Sequence, residues 1–242
     1  MGITMQLKIM ATRICRHTAV DSWQLFHSHL DEARRTKIEN CLQKNQQQRM
    51  IVGDILLQYV LRHELHREEN RRPSVLYSPL GKPSLRDWPD LAFNISHSGE
   101  WVAIVFASCE VGIDVEKQDS RIFKLEACIL SPSEQREYRA ISSREAFLCE
   151  RWAMKESFVK LIGVGLGYPF AKVSFHEFSA SEAVTFYEYK CYFCKTYLLE
   201  TLSGNKPYHV AVCSETYNFP DELTILPFDN LIRWARGATK HG

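Results

Sequence analysis

Two acidic residues stand two positions apart in the segment 112–117, GIDVEK, which reads as a strand. Residues i and i+2 of a strand point to the same face, so Asp114 and Glu116 converge while Ile113 and Val115 face the core. Neighbouring carboxylates repel each other unless a cation lies between them, and hard oxygen ligands suit Mg²⁺ or Mn²⁺. The same pattern is typical of two exposed acids at a strand end, and the pair alone leaves both interpretations open.

A second charged group lies in the segment 151–160, RWAMKESFVK. Glu156 and Lys160 are four residues apart, which places them on one side of a helix. By itself this spacing indicates a surface ion pair worth about 0.3–0.5 kcal/mol. Trp152, Phe158 and Val159 have the character of packing residues.

A third group follows Gly81-Lys82-Pro83 and occupies the segment 94–99, NISHSG. Ser and Gly around His97 predict a turn that carries an exposed imidazole, and a histidine that caps the turn is the structural alternative. The sequence lacks G-x-S-x-G, P-loop and G-x-G-x-x-G motifs, so serine hydrolase, P-loop and dinucleotide-binding functions lack their signatures.

The elements that must position these groups form a mixed α+β chain. Asp31 begins a polar helix, and a more apolar helix follows through about His66. Strands are predicted over 91–95, 100–107 and 110–116, and the segment 171–214 is predicted to be rich in strands.

Two capping boxes predict helix starts in the second half of the chain. Ser131 and Glu134 have the required spacing, with Pro132 at the first helical position. Ser142 and Glu145 have the same spacing. The helix that they begin should run to about residue 161 and end at the glycines from 163 onward.

Composition narrows the class of protein. The chain has 242 residues, 45% hydrophobic and 24% charged, with a net charge of +1. These values predict a globular protein without a general attraction for nucleic acid or anionic membranes. Apolar runs such as Trp101–Ala107 are far shorter than the roughly 20 residues that span a bilayer. The N-terminus lacks the features of a secretory signal, so we expect a cytoplasmic protein.

The eight cysteines are scattered, and a reducing compartment fits them better than a disulfide framework. Cys191 and Cys194 form a C-x-x-C pair in a strand-like run. No second pair completes a zinc site, so we interpret them as strand residues rather than metal or redox groups.

Charge divides unevenly between residues 1–107 and residues 108–242. The first part carries 14 basic and 11 acidic residues, and the second carries 16 basic and 18 acidic residues. This division fits an anion held mainly by the first half and a cation held by the second.

In order along the chain, GKP, FNISHSG, GIDVEK and WAMKESFVK resemble the motifs of the 4′-phosphopantetheinyl transferases of the surfactin-synthetase-activating type. The resemblance extends from about residue 30 to about residue 230. It implies a pseudo-twofold pair of similar α/β halves, each with a small antiparallel sheet and a long helix. Coenzyme A would lie in the cleft between the halves of a monomer.

The resemblance also implies an activity. The enzyme would move the 4′-phosphopantetheine arm of coenzyme A to a serine of an acyl or peptidyl carrier protein and release adenosine 3′,5′-bisphosphate. Asp114, Glu116 and Glu156 match the metal ligands of the family. Glu156 also matches a candidate base for the serine, directly or through water, and Lys160 would neutralise the pyrophosphate.

Positions that match coenzyme A contacts are Arg34, Lys37, Arg49, Gly81, Lys82, Ser96, His97 and Lys160. The first three are basic positions near the 3′-phosphate. Met50 departs from the family pattern, because relatives often have a hydroxyl residue there.

The loop 163–170, GVGLGYPF, follows the Glu156 helix and carries Val164, Leu166, Tyr168 and Phe170. These side chains either fold back on the core or wait for a partner. The resemblance implies that the carrier protein docks here, with Lys160 and Lys172 at the rim.

Two alternatives from other classes stay open at this point. One is a non-catalytic module that binds a carrier protein or coenzyme A, and the other is a metal-dependent phosphohydrolase acting on coenzyme A. Intact acids at positions 114, 116 and 156 argue against the binding module, because a decayed site loses carboxylates that repel each other without a metal.

Overall fold

Two small open sheets, each covered by one long helix, organise the chain and confirm the predicted α+β class. The computed structural model describes residues 6–15, 20–66, 72–165, 167–199 and 206–238. No helix within these ranges is long and apolar enough to cross a membrane.

The first sheet has the strand order β11-β1-β5-β4. Its strands are β1 (Lys8–Arg13), β4 (Ala92–Ser98), β5 (Trp101–Ala107) and β11 (Thr224–Ile225), and β2 (Val75–Tyr77) and β3 (Pro83–Leu85) form a separate hairpin. The helices of this half are α1 (Val20–Ser28), α2 (Glu32–Glu39) and α3 (Lys44–Tyr59), and a π-helical turn over Val60–Glu64 continues α3. The buried side of α3 packs with β4 and β5 in one apolar core.

The second sheet has the order β6-β10-β9-β8-β7 and is antiparallel throughout. Its strands are β6 (Val111–Lys117), β7 (His176–Glu177), β8 (Glu182–Tyr187), β9 (Lys190–Leu199) and β10 (Tyr208–Ser214). The helices are α4 (Glu126–Ile129), α5 (Pro132–Ala140) and α6 (Arg144–Ile162), with 3₁₀ turns at Ser120–Leu125 and Phe170–Lys172. Ile113 and Val115 are buried between the two sheets, as the alternation in β6 predicts.

The end of the chain returns to the first half. Strand β11 pairs in parallel with β1, and helix α7 (Phe228–Ala238) buries Leu231 and Ala235 in the core beneath α3. Residues 224–238 therefore pack with the first half, although the division of the sequence at residue 107 assigns them to the second. The cause is the apolar stripe of α7, which needs a core to cover it.

Local capping explains where several helices begin. The Asp31 carboxylate accepts a hydrogen bond of 2.7 Å from the Arg34 N–H, and the capping box of Ser131 and Glu134 is present, so both predicted starts are confirmed. The box predicted at Ser142 is wrong. Helix α6 begins at Arg144 without a side-chain cap, because the Glu145 carboxylate instead accepts from Lys206 Nζ at 2.6 Å.

The predicted turn around His97 is also wrong. Strand β4 continues through Ser98, His97 pairs with Val102 of β5, and the reversal occurs at Gly99 and the residue after it. Gly99 has φ +54°, and a Cβ there would lie 2.0 Å from Tyr208 Oη. The reversal is therefore set by the glycine, and the polar residues before it belong to the strand.

Gly112 allows α6 to lie directly on β6. A Cβ at this position would stand 2.0 Å from the Ser157 carbonyl oxygen and 2.6 Å from the Leu161 nitrogen. No side chain fits in that space, so the backbones of strand and helix are in contact. This contact brings Asp114 and Glu116 of the strand next to Glu156 of the helix.

Cys191 and Cys194 lie three residues apart in β9, which places their side chains on opposite faces of the strand. Cys191 is exposed and Cys194 is buried beneath α6. The two sulfurs of the C-x-x-C pair therefore do not converge.

We expect Gly112→Ala to lower the free energy of unfolding by about 1–3 kcal/mol or more, because the added methyl meets backbone atoms that cannot rotate away. Gly237→Ala is the control: Gly237 lies in α7 with open space around it, so this change should be neutral or stabilise by up to about 1 kcal/mol. Urea unfolding curves measure both. Equal stabilities for the two variants would contradict the close contact.

Candidate active site

Three carboxylates form an acidic centre where β6 meets α6. Asp114 and Glu116 extend from one face of the strand, and Glu156 extends from the helix. Asp114 is 5% exposed and Glu156 is 7% exposed, while Glu116 is half-buried. The expected surface pair of Glu156 and Lys160 is therefore part of a buried cluster.

Burial and mutual repulsion raise the pKa values of the two glutamates of the acidic centre, Glu116 and Glu156. Burial is the larger cause for Glu116, and the charges of Asp114 and Glu156 add to it, so its pKa rises to about 8. Burial and the charge of Asp114 raise the pKa of Glu156 to about 7, against the opposing effect of Lys160. The folded protein thus holds negative charge that its own cations do not fully balance.

Asp114 is bonded at one oxygen and unpartnered at the other. Its Oδ1 accepts hydrogen bonds from Lys160 Nζ at 2.6 Å and from Ser96 Oγ at 2.8 Å. Its Oδ2 is buried and has no hydrogen-bond partner among the described residues. A buried bare carboxylate oxygen costs free energy, and a hard cation would remove that cost.

The acidic centre fits a divalent cation in its chemistry, with three carboxylates, unbalanced charge and a bare oxygen. Among the described residues, however, no three His, Cys, Asp or Glu side chains stand as a formed metal cage. Lys160 supplies the positive charge that contacts Asp114 in this arrangement.

A cleft of about 450 Å³ opens beside the acidic centre and is lined by both halves. Of the positions that match coenzyme A contacts, seven line it: Arg34, Lys37, Arg49, Gly81, Lys82, His97 and Lys160. Ser96 lies behind this wall, where its hydroxyl accepts from Lys160 Nζ at 3.2 Å. The structure therefore brings the first-half residues together with the end of α6.

The basic side chains of the cleft are held by neighbours. Arg34 Nε donates to Asp54 Oδ2 at 2.6 Å, and Lys37 Nζ lies 4.8 Å from the centre of the Tyr77 ring. Arg49 donates to the Gly99 carbonyl at 3.2 Å. Helices α2 and α3 thus present three cations on the same side of the cleft.

Lys82 has a structural contact that the sequence did not indicate. Its ammonium group donates to the Leu161 carbonyl at the end of α6 and to the Glu110 carboxylate. Gly163 ends α6 in the left-handed conformation, and a Cβ there would lie 3.0 Å from the Lys82 side chain. Lys82 therefore ties the first half to the C-terminal end of the site helix.

His97 is half-buried rather than exposed. Burial lowers the pKa of its imidazole, and the positive charges of Arg49 and Lys160 lower it further. The ring is therefore mostly neutral at neutral pH, and it can both donate and accept a hydrogen bond in the cleft.

Sequence reasoning missed the buried pair of Lys155 and Glu134. Both side chains are fully buried, and Lys155 Nζ donates to the Glu134 carboxylate and to the carbonyls of Ile129 and Phe170. All three donors of the ammonium are used. The available signal was weak: the capping box placed Glu134 at a helix start, and no local pattern linked it to Lys155.

The loop after α6 folds back on the core at its far end. Phe170 is buried and packs edge-on against Trp152 with ring centres 5.1 Å apart, while Tyr168 packs against Tyr187 at 6.0 Å. The expectation that Phe170 is displayed to a partner is therefore wrong. Val164 is half-buried, and Leu166 lies outside the described residues.

Comparison with known proteins identifies the class. The sequence model of the 4′-phosphopantetheinyl transferase superfamily matches residues 110–213, and that of the N-terminal region of 4′-phosphopantetheinyl transferases matches residues 17–109. The chain belongs to the 4′-phosphopantetheinyl transferase superfamily, as the ordered motifs predict.

Individual relatives match over almost the whole chain. The chain is 29% identical to 4′-phosphopantetheinyl transferase Sfp of Bacillus subtilis (strain 168), over 93% of this chain and 100% of that protein. It is 28% identical to 4′-phosphopantetheinyl transferase ffp of Bacillus subtilis, with the same coverage. Among solved structures, holo-[acyl-carrier-protein] synthase of Thermotoga maritima matches 44% of this chain and 62% of that chain, with 29% identity and a TM-score of 0.36.

Raised pKa values in the acidic centre predict how the metal-free protein responds to pH. Between about pH 4.5 and about pH 8 the folded state binds more protons than the unfolded state, so stability falls as pH rises through this range. Glu116→Gln removes one of these charges. With a chelator present, the melting temperature of Glu116→Gln should fall less between about pH 5 and about pH 8 than the melting temperature of the wild type.

Glu137→Gln is the control for this measurement, because Glu137 is exposed on α5 and its ion pair is with Arg151 rather than with the acidic centre. Thermal melting at several pH values compares the three proteins. If Glu116→Gln and the wild type lost melting temperature in parallel, the repulsion within the acidic centre would be refuted.

Proposed function

We propose that this chain transfers the 4′-phosphopantetheine arm of coenzyme A to a serine of an acyl or peptidyl carrier protein, with Mg²⁺ at Asp114, Glu116 and Glu156. Mn²⁺ would be an alternative metal, and adenosine 3′,5′-bisphosphate the second product. The observation that carries this proposal is Lys160, which contacts the acidic centre and lines the basic cleft at the same time. A pyrophosphate lying across this lysine would have cations on one side and the metal on the other.

The reaction forms a bond between the serine oxygen and the β-phosphorus of coenzyme A, and it breaks the bond from that phosphorus to the bridging oxygen. Such a transfer depends mainly on positioning and on neutralising charge. When bound, the metal would supply a Lewis acid for the pyrophosphate oxygens. Lys160 would leave Asp114 for a phosphate oxygen, and Arg34, Lys37 and Arg49 would hold the remaining phosphates.

Glu156 is the candidate base for the serine proton, directly or through one water molecule. Its position on α6, one turn before Lys160, keeps the proton acceptor beside the phosphate-binding lysine.

A monomer is sufficient for this function, because one chain supplies both walls of the cleft. The neutral balance of charge gives no reason to include nucleic acid or a membrane among the partners. The cytoplasm, where both coenzyme A and carrier proteins are available, is the compartment we propose.

Product analysis tests the function against its two alternatives. Enzyme, coenzyme A and Mg²⁺ are incubated with purified carrier proteins, and intact masses are measured. Transfer adds one phosphopantetheine to the carrier and yields adenosine 3′,5′-bisphosphate. Release of phosphopantetheine into solution would indicate a phosphohydrolase, and unchanged masses with a stable complex would indicate a binding module.

Removing the charge of Glu156 should stop transfer without unfolding the protein. We expect Glu156→Gln to lower carrier modification by about a hundredfold or more, because it removes both a metal ligand and the base. Glu150→Gln is the matched control on the same helix and should retain activity, since Glu150 pairs with Arg151 on another side of α6. Near-normal turnover of Glu156→Gln at fixed Mg²⁺ would exclude this residue from the site.

We expect His97 to contact the 3′-phosphate of coenzyme A, because it lines the cleft beside Arg49. We expect His97→Ala to weaken coenzyme A binding by about tenfold and to affect dephospho-coenzyme A much less. Calorimetry measures both ligands, with His176→Ala, an exposed change on β7, as the control. An equal loss for both ligands would mean that His97 contacts another part of the molecule.

A further inference from the structure

The two sheets meet along β4 and β6 without backbone pairing. Strand β4 is the edge of the first sheet and β6 is the edge of the second, and they belong to separate hydrogen-bonded sheets. The outward N–H groups of β6 therefore need acceptors other than a neighbouring backbone.

Side chains of β4 provide those acceptors. Asn94 Oδ1 accepts from the Ile113 N–H at 3.1 Å, and Ser96 Oγ accepts from the Val115 N–H at 3.2 Å. Ser98 Oγ accepts from the Lys117 N–H at 3.1 Å. The three pairs advance by two residues on each strand, and we call them the side-chain ladder.

The side-chain ladder sets the register between the two halves of the site. Ser96 shows this directly, because its hydroxyl accepts from Val115 and donates to the carboxylate of Asp114. A shift of β6 along β4 would move the acids of β6 away from Ser96 and His97. The cleft residues of one half and the acidic centre of the other are thus aligned by these bonds.

The Asn94 bond, like the Ser96 bond, is too deeply buried for water to replace it. Asn94 is 5% exposed and Ile113 is fully buried, whereas Ser98 is half-buried at the open end. Losing the acceptor at Asn94 leaves a buried N–H unsatisfied, which costs about 1–3 kcal/mol unless the strand moves to find another partner. Movement of β6 relieves that cost and carries Asp114 and Glu116 with it.

We infer that Asn94 is a positioning residue for the transfer reaction: its amide oxygen fixes β6 against β4 and so holds the acidic centre opposite the coenzyme A cleft. This inference rests on the proposed function. It assigns a role to the asparagine of the FNISHSG segment, which has no role in the proposed reaction steps above and also lines the cleft.

Three variants test the inference. Asn94→Leu removes the acceptor at similar volume. Asn94→Ser keeps a shorter acceptor of the type that β4 uses at positions 96 and 98. Ser98→Ala removes the same kind of bond where water can replace it. Thermal melting first shows that each variant is folded at the assay temperature.

Activity is divided into its kinetic parts, and metal binding is measured separately. For Asn94→Leu we expect kcat for carrier modification to fall by about tenfold or more, with KM for coenzyme A and for the carrier within about threefold. Mn²⁺ binding without substrate, followed by electron paramagnetic resonance, should weaken by about tenfold. Asn94→Ser should lie between Asn94→Leu and the wild type, and Ser98→Ala should resemble the wild type.

Amide hydrogen exchange supplies the structural readout. Exchange at Ile113 should accelerate in Asn94→Leu, and exchange at Lys117 alone should accelerate in Ser98→Ala. Faster exchange at Ile113 with unchanged kcat and Mn²⁺ affinity would overturn the inference. If Asn94→Leu does not fold, the same comparison is made with Asn94→Ser, and wild-type values there would also overturn it.

Failure of the proposed function can be distinguished from failure of the inference about Asn94. If the wild-type protein modifies no carrier protein, the function is wrong, and Mn²⁺ affinity with hydrogen exchange at Ile113 still tests whether Asn94 positions the acidic centre. If the wild type is active and Asn94→Leu equals it in all three measurements, the function stands and the inference is wrong.

Discussion

Contact between the backbone of α6 and the backbone of β6 at Gly112 is the constraint on which the site depends. The strand carries two acids and the helix carries a third, and any side chain at position 112 would hold the two elements further apart. With no side chain between the backbones, the helix lies close enough for Lys160 to bond to Asp114. The charge of the site is therefore concentrated by a packing contact in which no charged group takes part.

Concentrating the charge leaves the metal-free protein with an imbalance. One oxygen of Asp114 is bonded twice and the other is bare, and the two glutamates hold their protons to higher pH than usual. Lys160 offsets part of this repulsion from the side of the cleft. A single lysine thus links the two parts of the site: it contacts Asp114 of the acidic centre and lines the cleft that we propose for coenzyme A.

Two polar contacts hold the C-terminal half of α6 in this position. Lys155 joins α6 to the start of α5 and to the loop that follows α6, through a buried pair that would be strongly destabilising if either partner were removed alone. Lys82, from the other half of the chain, donates to the Leu161 carbonyl near the end of α6. The side-chain ladder then fixes β6 against β4, so that α6, β6 and the cleft keep fixed positions relative to one another.

The sequence by itself determined the class of fold and most of the elements, and it predicted the residues of the candidate site, because these depend on local spacing and on ordered motifs. The alternation around Asp114, the cap at Asp31 and the glycine stop of α6 needed no distant contact. Tertiary structure decided the rest. His97 is a strand residue because the pairing of β4 with β5 continues as far as Ser98. Helix α7 packs with the first half of the chain because its apolar stripe is covered by the core beneath α3. Lys82 contacts a carbonyl 79 residues away, Lys155 a carboxylate 21 residues away and Asn94 an N–H group 19 residues away, and no local pattern specifies that these groups will be brought together.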